Sequence, residues 1–325
     1  MIGRPTVQMN LLDGALANRK KRSRREKALQ AIGSLVDWDA LVKEIEPLYK
    51  QSKRGRPSVP IRYMIKILVL QNLYNLSDPE MEDALIDRLS FQRFVGLSFM
   101  DEIPDFTTIW RFRERLAKGD VLDKLFNMVV EMIEKKGKVL RKGQISIIDA
   151  TLVSAARKPP KPGQENSSQK DSDARPAKKG NKGYYGYKGH INMDKDTGLV
   201  QRAQLTPANV HDSRVFEKLL RGTERAVFAD KAYDSRARKR RLRSEGIFYG
   251  ILERGRRNHP LTERQKQHNH RKSKIRNPVE RVFAHLKRWS GYTRVRYVTL
   301  ERNALQFMLH CMAYNLKRGL VLAAA

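Results

Sequence analysis

Three acidic residues stand where a folded chain could bring their carboxylates together. Asp149 ends the apolar run Ile145-Ser-Ile-Ile148, and Asp230 ends the run Ala226-Val-Phe-Ala229. Short apolar runs of this kind are typical of buried strands. Glu280 lies in the first turn of an amphipathic helical pattern that follows a proline. A carboxylate at the end of each strand and one on a helix could converge on a divalent cation such as Mg²⁺, which takes oxygen ligands and keeps several waters.

The helical pattern that carries Glu280 also carries basic residues at fixed spacing. Arg276 lies one turn before Glu280, and Lys287 lies about two turns after it. Apolar residues recur at three- and four-residue steps and are expected to face a core, at Val279, Val282, Phe283, Leu286 and Trp289. The plain alternative is a surface helix whose glutamate balances its arginine and lysine.

Together, these residues resemble the catalytic set of the DDE transposases, which have a ribonuclease-H-like fold. The spacing Arg276-x3-Glu280-x6-Lys287 is similar to the signature of a large group of bacterial insertion-sequence transposases. Ser273 stands where the full signature has tyrosine, a departure that fits the insertion-sequence-five branch. Further blocks resemble the family in the same order, and they are Asp149 to Ser154, Tyr184 to His190, His211 to Ser213 and Asp230 to Ser235. The alternative for His211 to Ser213 is a simple helix cap, for which Asp212 or Ser213 suffices.

The resemblance implies an α/β protein whose catalytic domain, residues 141–325, has a mixed five-stranded sheet with flanking helices. It implies a transposase that binds terminal inverted repeats of a mobile DNA element and catalyses strand cleavage and strand transfer. Asp149, Asp230 and Glu280 would be the catalytic residues and would hold two Mg²⁺ ions, with Mn²⁺ as a substitute and Asp149 as the bridging ligand. The implied partners are double-stranded DNA, both terminal repeats and target, and further copies of the chain in a homodimer or a higher assembly.

The charge of the chain points independently to a polyanionic partner. Among 325 residues, Lys plus Arg number 66 against 35 Asp plus Glu, which gives a formal charge of +31. This excess makes nucleic acid the first candidate. A basic membrane-surface protein is the alternative, but no run approaches the ~18 apolar residues of a membrane span and no signal peptide is evident. A cytoplasmic, nucleoid-associated bacterial protein without a membrane partner is therefore expected.

Patterns before the catalytic region predict a basic flexible arm over residues 1–30 and a helical DNA-binding and dimerisation region over residues 31–140. The stretch Pro104 to Leu116 resembles the second helix of a helix-turn-helix, where base and phosphate contacts are made. Its candidate contacts are Thr107, Thr108, Arg111, Arg113 and Arg115. The alternative is a packing helix with a solvated basic face. Arg54 and Arg56 form a basic break that would enter a minor groove or simply serve as a linker.

Further DNA contacts are predicted around the carboxylates. Arg276 and Lys287 would hold phosphates at the cut ends, and Lys188 and His190 are additional candidates. For His190 a neutral, hydrogen-bonded strand histidine is equally compatible with the sequence. Three aromatic residues would either stack on an unpaired base or pack in the core, and they are Trp289, Tyr233 and Tyr292.

Composition predicts a mobile basic loop over residues 157–183, rich in Pro, Gly, Ser and Lys, and a weakly structured segment from Gly255 to Lys274. Two other classes of protein compete with the transposase. One is a catalytically inactive, sequence-specific DNA-binding protein, and the other is a ribonuclease-H-like nuclease that cuts without joining.

Overall fold

A computed structural model describes residues 22–49, 58–98, 100–137, 144–159, 171–255, 257 and 259–324. The chain divides into two compact units. The first comprises Met1–Gly137 together with Gly319–Ala325, and the second comprises Lys138–Arg318.

The described residues of the first unit form helices and no strand. In chain order the helices are α1 (Arg24–Leu35), α2 (Trp38–Ile45), α3 (Ile61–Tyr74), α4 (Asp78–Asp87), α5 (Leu89–Val95), α6 (Phe106–Lys118) and α7 (Leu122–Lys136). Side-chain oxygens accept from free N–H groups at several helix starts, as expected for capping residues. Ser77 forms a capping box with Glu80 at the start of α4. The central helix α3 is buried on most sides, which explains its nearly continuous apolar sequence.

The flexible arm predicted for residues 1–30 is wrong from residue 24 onward, because α1 begins at Arg24. The Ser23 hydroxyl accepts from the Glu26 N–H and caps the helix. Leu29 is buried, and Glu26 forms an ion pair with Arg93 at 2.5 Å. The basic composition of this segment hid the few apolar residues that anchor the helix.

The second unit is built on a mixed sheet, as predicted. Its strands are β1 (Ile145–Ser154), β2 (Arg175–Lys179), β3 (Lys182–Asp194), β4 (Val200–Pro207), β5 (Ala226–Ala229) and β6 (Phe248–Tyr249). Strand β3 pairs antiparallel with β1, β2 and β4. Strands β1, β5 and β6 run parallel to one another in that order. Among the described residues the sheet has six strands, one more than predicted, and the additional strand is β2.

Strand β2 lies inside the segment predicted to be a mobile loop, so that prediction is wrong for residues 171–183. The chain turns after β2 at Gly180, whose φ is +59°, and β2 pairs with the start of β3. The segment is anchored by buried Asp171, whose carboxylate accepts from the Tyr187 hydroxyl at 2.7 Å. A backbone ladder needs no apolar side chains, so composition alone did not reveal it.

The other elements of the second unit are helical. They are a 3₁₀ turn (Asp212–Arg214), α8 (Phe216–Leu219), a second 3₁₀ turn (Lys231–Tyr233), α9 (Arg236–Ser244), α10 (Glu263–Arg276), α11 (Pro278–Arg288) and α12 (Leu300–Ala324), which continues into the first unit from Gly319. The prediction of a weakly structured segment from Gly255 to Lys274 is wrong from Glu263 onward, because α10 begins there. Its start is a capping box between Thr262 and Gln265, but none of its residues is buried. The apolar periodicity that reveals most helices is therefore absent from it.

Candidate active site

The parallel pairing of β1 and β5 brings two of the predicted carboxylates to one place. Ile148 pairs with Ala229 in the last pair between the two strands, so Asp149, inside β1, and Asp230, just after β5, are the next residues side by side. Each carboxylate is oriented by a backbone N–H. Asp149 Oδ1 accepts from the N–H of Ala150 at 2.9 Å, and Asp230 Oδ1 accepts from the N–H of Lys231 at 2.7 Å.

Asp149 is the more enclosed of the two carboxylates. Its side chain is 19% exposed, and burial raises its pKa to about 6. The Arg276 guanidinium and the Ala150 N–H act against this rise, whereas the neighbouring carboxylates of Asp230 and Asp212 add to it. Asp149 is therefore the centre of a negatively charged site that favours a cationic partner.

Arg276 is one such partner. Its Nη1 donates to Asp149 Oδ2 at 2.7 Å, and its Nε is buried without a hydrogen-bond partner among the described residues. Asn277 keeps helical backbone angles between α10 and α11, so the chain runs almost continuously from Arg276 into the next helix. Because Glu280 comes four residues after Arg276, the two side chains share one side of this helical path.

Glu280 is exposed in the first turn of α11, and α11 packs against β1. Within the described part of the chain, however, no three His, Cys, Asp or Glu residues form a group that could hold one metal ion. The structure thus brings Asp149 and Asp230 together and does not gather Glu280 with them. Two oxygen donors on neighbouring parallel strands still fit a cation that keeps most of its waters. Glu280 as a ligand stays a prediction.

Two of the predicted DNA contacts on β3 are internal residues. Lys188 Nζ donates to Asp212 Oδ1 at 2.7 Å and to the carbonyl of Val210 at 2.9 Å. His190 is fully buried, and its Nε2 lies 2.9 Å from the Thr206 hydroxyl. Burial lowers the pKa of His190 to about 4, so the ring is neutral. The DNA-contact prediction is wrong for His190 because its buried ring cannot reach a phosphate. For Lys188, which is paired with Asp212, the DNA contact stays a prediction.

Asp212 lies beside the site, whereas the sequence predicted only a possible helix cap for this residue. The cap of this turn is His211, whose Nδ1 accepts from the N–H of Ser213 at 3.3 Å. Asp212 instead pairs with Lys188 and raises the pKa of Asp149. The available signal was the block His211 to Ser213, which stood among the blocks that resemble the family.

Three aromatic residues near the site have separate roles. Tyr233 is fully buried, as is Tyr292, which stacks on Phe307 with ring centroids 5.6 Å apart. For both residues the core-packing alternative is confirmed. Trp289 is 76% exposed, so the prediction that it faces the core is wrong.

The Tyr233 hydroxyl is buried on the turn that Asp230 caps. It has no hydrogen-bond partner among the described residues. Burial raises its pKa most, and the carboxylates of Asp212, Asp149 and Asp230 raise it further.

Residues 140–316, more than half of the chain, match the family described as the transposase DDE domain. The chain belongs to this family. Residues 17–115 match a second family, described as a transposase domain of the type DUF772. A solved cryo-EM structure of the piggyBac transposase synaptic complex with hairpin DNA is similar over 91% of this chain and 75% of that chain, with 13% identity and a TM-score of 0.49. The family match makes this chain a DDE transposase, an enzyme of DNA transposition.

In the first unit of the transposase, α6 carries the predicted helix-turn-helix residues. Its cap is Asp105, which accepts from the N–H of Thr108 at 2.6 Å and from the Thr107 hydroxyl at 3.0 Å. Arg111 is exposed, and Arg115 is exposed with its guanidinium 4.1 Å from the centre of the Tyr49 ring. These four predicted contacts remain accessible at least in part.

Arg113 of the transposase is different, because its side chain points inward from α6. It is 2% exposed and forms two hydrogen bonds to the Asp78 carboxylate, at 2.5 and 2.7 Å. The prediction of a DNA contact is wrong for this residue. The predicted contacts Arg54 and Arg56 lie outside the described residues. None of the helices that the structure describes has the length and apolar character needed to cross a membrane.

Proposed function

We propose that this DDE transposase binds the terminal inverted repeats of a mobile element and cuts and joins DNA strands with the help of divalent cations. The observation that carries the proposal is the placement of Asp149 and Asp230 side by side where the parallel pairing of β1 and β5 ends, with Arg276 bonded to Asp149. The antiparallel set β4-β3-β1, followed by the parallel strands β5 and β6, supports a ribonuclease-H-like domain. The spacing of Arg276, Glu280 and Lys287 resembles the signature of the bacterial insertion-sequence transposases, and Ser273 in place of its tyrosine supports the insertion-sequence-five branch.

Asp149 and Asp230 would hold the cation, and the resemblance adds Glu280. Two Mg²⁺ ions, or Mn²⁺ in their place, supply an activated oxygen nucleophile and stabilise the leaving oxygen of the phosphodiester. The protein orients the carboxylates through the N–H groups of Ala150 and Lys231. It also partly encloses Asp149, which strengthens electrostatic interactions there.

The proposed DNA contacts are basic and polar residues and one exposed aromatic residue. We assign phosphate contacts beside Glu280 to Lys287 and Arg276 by their resemblance to the family signature, and exposed Trp289 offers a ring on which an unpaired base can stack. In the first unit, Thr107, Thr108, Arg111 and Arg115 present a polar and basic face for the terminal repeats. The proposed assembly is a homodimer or larger complex on two DNA ends, in the bacterial cytoplasm close to the nucleoid.

A DNA-binding protein that does not cut is the second candidate. It is favoured by the exposed position of Glu280 and by the missing three-carboxylate group among the described residues. The two candidates share the basic surface and differ only in chemistry.

The test compares the wild type with Glu280→Gln on candidate terminal-repeat DNA. Cleavage and strand joining are followed in Mg²⁺, and DNA binding is measured in parallel by fluorescence anisotropy. Asp196→Asn is the matched control, because Asp196 is an exposed carboxylate in the turn after β3. The proposal expects binding by all three proteins and cleavage with joining by the wild type and the control only.

Cleavage that persists in the Glu280→Gln variant would remove Glu280 from the catalytic set. Equal binding without reaction by the wild type, in Mg²⁺ and in Mn²⁺, would favour the non-cutting candidate. Cleavage by the wild type without any joined product would favour a nuclease.

A further inference from the structure

Arg238 ties together the two 3₁₀ turns beside the candidate active site. It donates to the carbonyl of Tyr233 at 2.6 Å and to the carbonyl of Ser213 at 3.0 Å. Its guanidinium also lies 4.1 Å from the centre of the Phe216 ring, and the two turns contact each other. Asp212 on one turn and Tyr233 on the other are therefore held in a fixed arrangement.

The Tyr233 hydroxyl is the feature of this arrangement that packing does not explain. It is fully buried and unpartnered within the described part of the chain. Such a hydroxyl destabilises the folded state, so a phenylalanine would serve the core better. Tyr233 lies on the turn that Asp230 caps, and this turn contacts the turn that carries Asp212. The carboxylates of Asp212, Asp149 and Asp230 also raise the pKa of its hydroxyl.

The ion pair of Asp212 with Lys188 uses only one of its two carboxylate oxygens. Lys188 occupies Oδ1, whereas Oδ2 has no hydrogen-bond partner among the described residues. The Asp212 side chain is 23% exposed, so the free oxygen can meet a small hydrated ligand. If Asp212 served only as the ion-pair partner of Lys188, it would not need to lie near the carboxylates of Asp149 and Asp230.

We propose that Asp212 and the Tyr233 hydroxyl bind the water shell of a divalent cation that Asp149 and Asp230 hold. The proposal rests on the metal-dependent function proposed above. Mg²⁺ keeps several of its waters in proteins, and those waters donate hydrogen bonds. The free Asp212 oxygen and the Tyr233 oxygen accept them, so both residues position the cation without touching it. Outer partners of this kind change metal affinity by roughly 10- to 100-fold.

The test is Mn²⁺ binding by the full chain, measured by calorimetry and by the rise in melting temperature that Mn²⁺ causes. Asp212→Asn and Tyr233→Phe should each lower Mn²⁺ affinity roughly tenfold, in the range for such outer partners. Without Mn²⁺, the Tyr233→Phe variant should melt at the same or a higher temperature than the wild type. A variant that keeps the wild-type melting temperature without Mn²⁺ but gains less from Mn²⁺ has lost a residue that positions the cation. A variant that melts earlier without Mn²⁺ has lost a residue that stabilises the fold. Asp196→Asn should match the wild type in both measurements.

Lys188→Met tests whether Asp212 serves only as the partner of Lys188. It should keep Mn²⁺ affinity, because the Asp212 carboxylate remains. A loss as large as that of Asp212→Asn would overturn the proposal. Wild-type affinity in both Asp212→Asn and Tyr233→Phe, with loss only in Asp149→Asn, would overturn it and leave the proposed function standing. A wild type that binds no Mn²⁺ would overturn the metal-dependent function and this inference with it.

Discussion

The ion pair between Arg113 and Asp78 should contribute to the stability of the first unit and not to DNA binding. Arg113 is 2% exposed and donates twice to the Asp78 carboxylate, which also accepts from Gln71 Nε2 at 2.6 Å. Replacing Arg113 by Met leaves a partly buried carboxylate without its cation. Removal of one partner from a buried pair typically costs 3–5 kcal/mol. Because Asp78 keeps the Gln71 hydrogen bond and is 16% exposed, we expect a loss of about 3 kcal/mol.

The assay is urea unfolding followed by tryptophan fluorescence. The chain has three tryptophans, and two of them, Trp38 and Trp110, lie in the first unit. In a Trp289→Phe background the fluorescence therefore reports on that unit alone. Arg113→Met should shift the unfolding midpoint to lower urea, and a second change, Asp78→Asn, should recover part of the loss because it removes the unpaired charge.

Arg111→Met is the matched comparison, because Arg111 is an exposed arginine two positions earlier on α6. Arg111→Met should leave the free energy of unfolding within about 0.5 kcal/mol of the wild type. It should also lower the slope of DNA affinity against salt concentration by about one, the amount expected for one lost phosphate contact. The reasoning would be refuted if Arg113→Met kept wild-type stability and lost DNA affinity instead.

Three other predictions follow from single side chains. His190 has a pKa of about 4 in the folded state, below the ordinary value of 6.5. The unfolded state therefore takes up a proton first as the pH falls, and between pH 7 and 5 the free energy of unfolding should decrease by about 2 kcal/mol from this group. His190→Asn should flatten that part of the stability profile in urea titrations, and an unchanged slope would contradict a neutral buried ring. A Cβ on Gly189 would lie 2.7 Å from the Phe307 ring, so Gly189→Ala should destabilise by about 1–3 kcal/mol. Gly183→Ala, with no atom within 4 Å, is its control, and equal melting temperatures for the two variants would argue against this packing. Trp289→Ala should leave stability unchanged but weaken binding to DNA with an unpaired base by about 1–3 kcal/mol, and equal affinity would exclude stacking.

The sequence predicted the parts of the second unit that depend on apolar patterns. Short buried runs in β1 and β5 lead directly to Asp149 and Asp230, but β1 continues past Asp149 to Ser154, so the predicted strand end at Asp149 is wrong. Parallel pairing then brings Asp149 and Asp230 together without further information. Strand β2 and helix α10 were missed because their residues are polar and largely exposed, so the backbone hydrogen bonds that define them have no apolar signature.

The individual roles of basic residues were less predictable. Arg111 and Arg113 are two positions apart on α6, and the sequence gives both the same basic and aromatic surroundings. What separates them is Asp78, which lies 35 residues before Arg113 and meets it only in the folded unit. The ion pair of Lys188 was not predicted for the same reason, because its partner Asp212 is 24 residues away. Pairings of this kind depend on tertiary structure and leave no local pattern.

The bond between Arg276 and Asp149 has a thermodynamic consequence. A guanidinium that donates to Asp149 at 2.7 Å keeps one of the two carboxylate oxygens from a cation. If a DNA phosphate draws Arg276 away, that oxygen becomes free and its negative charge is no longer compensated. DNA and cation would then bind cooperatively, and linkage requires that each raise the affinity for the other by the same factor. The protein alone would then bind its cation with a lower affinity than the protein–DNA complex does.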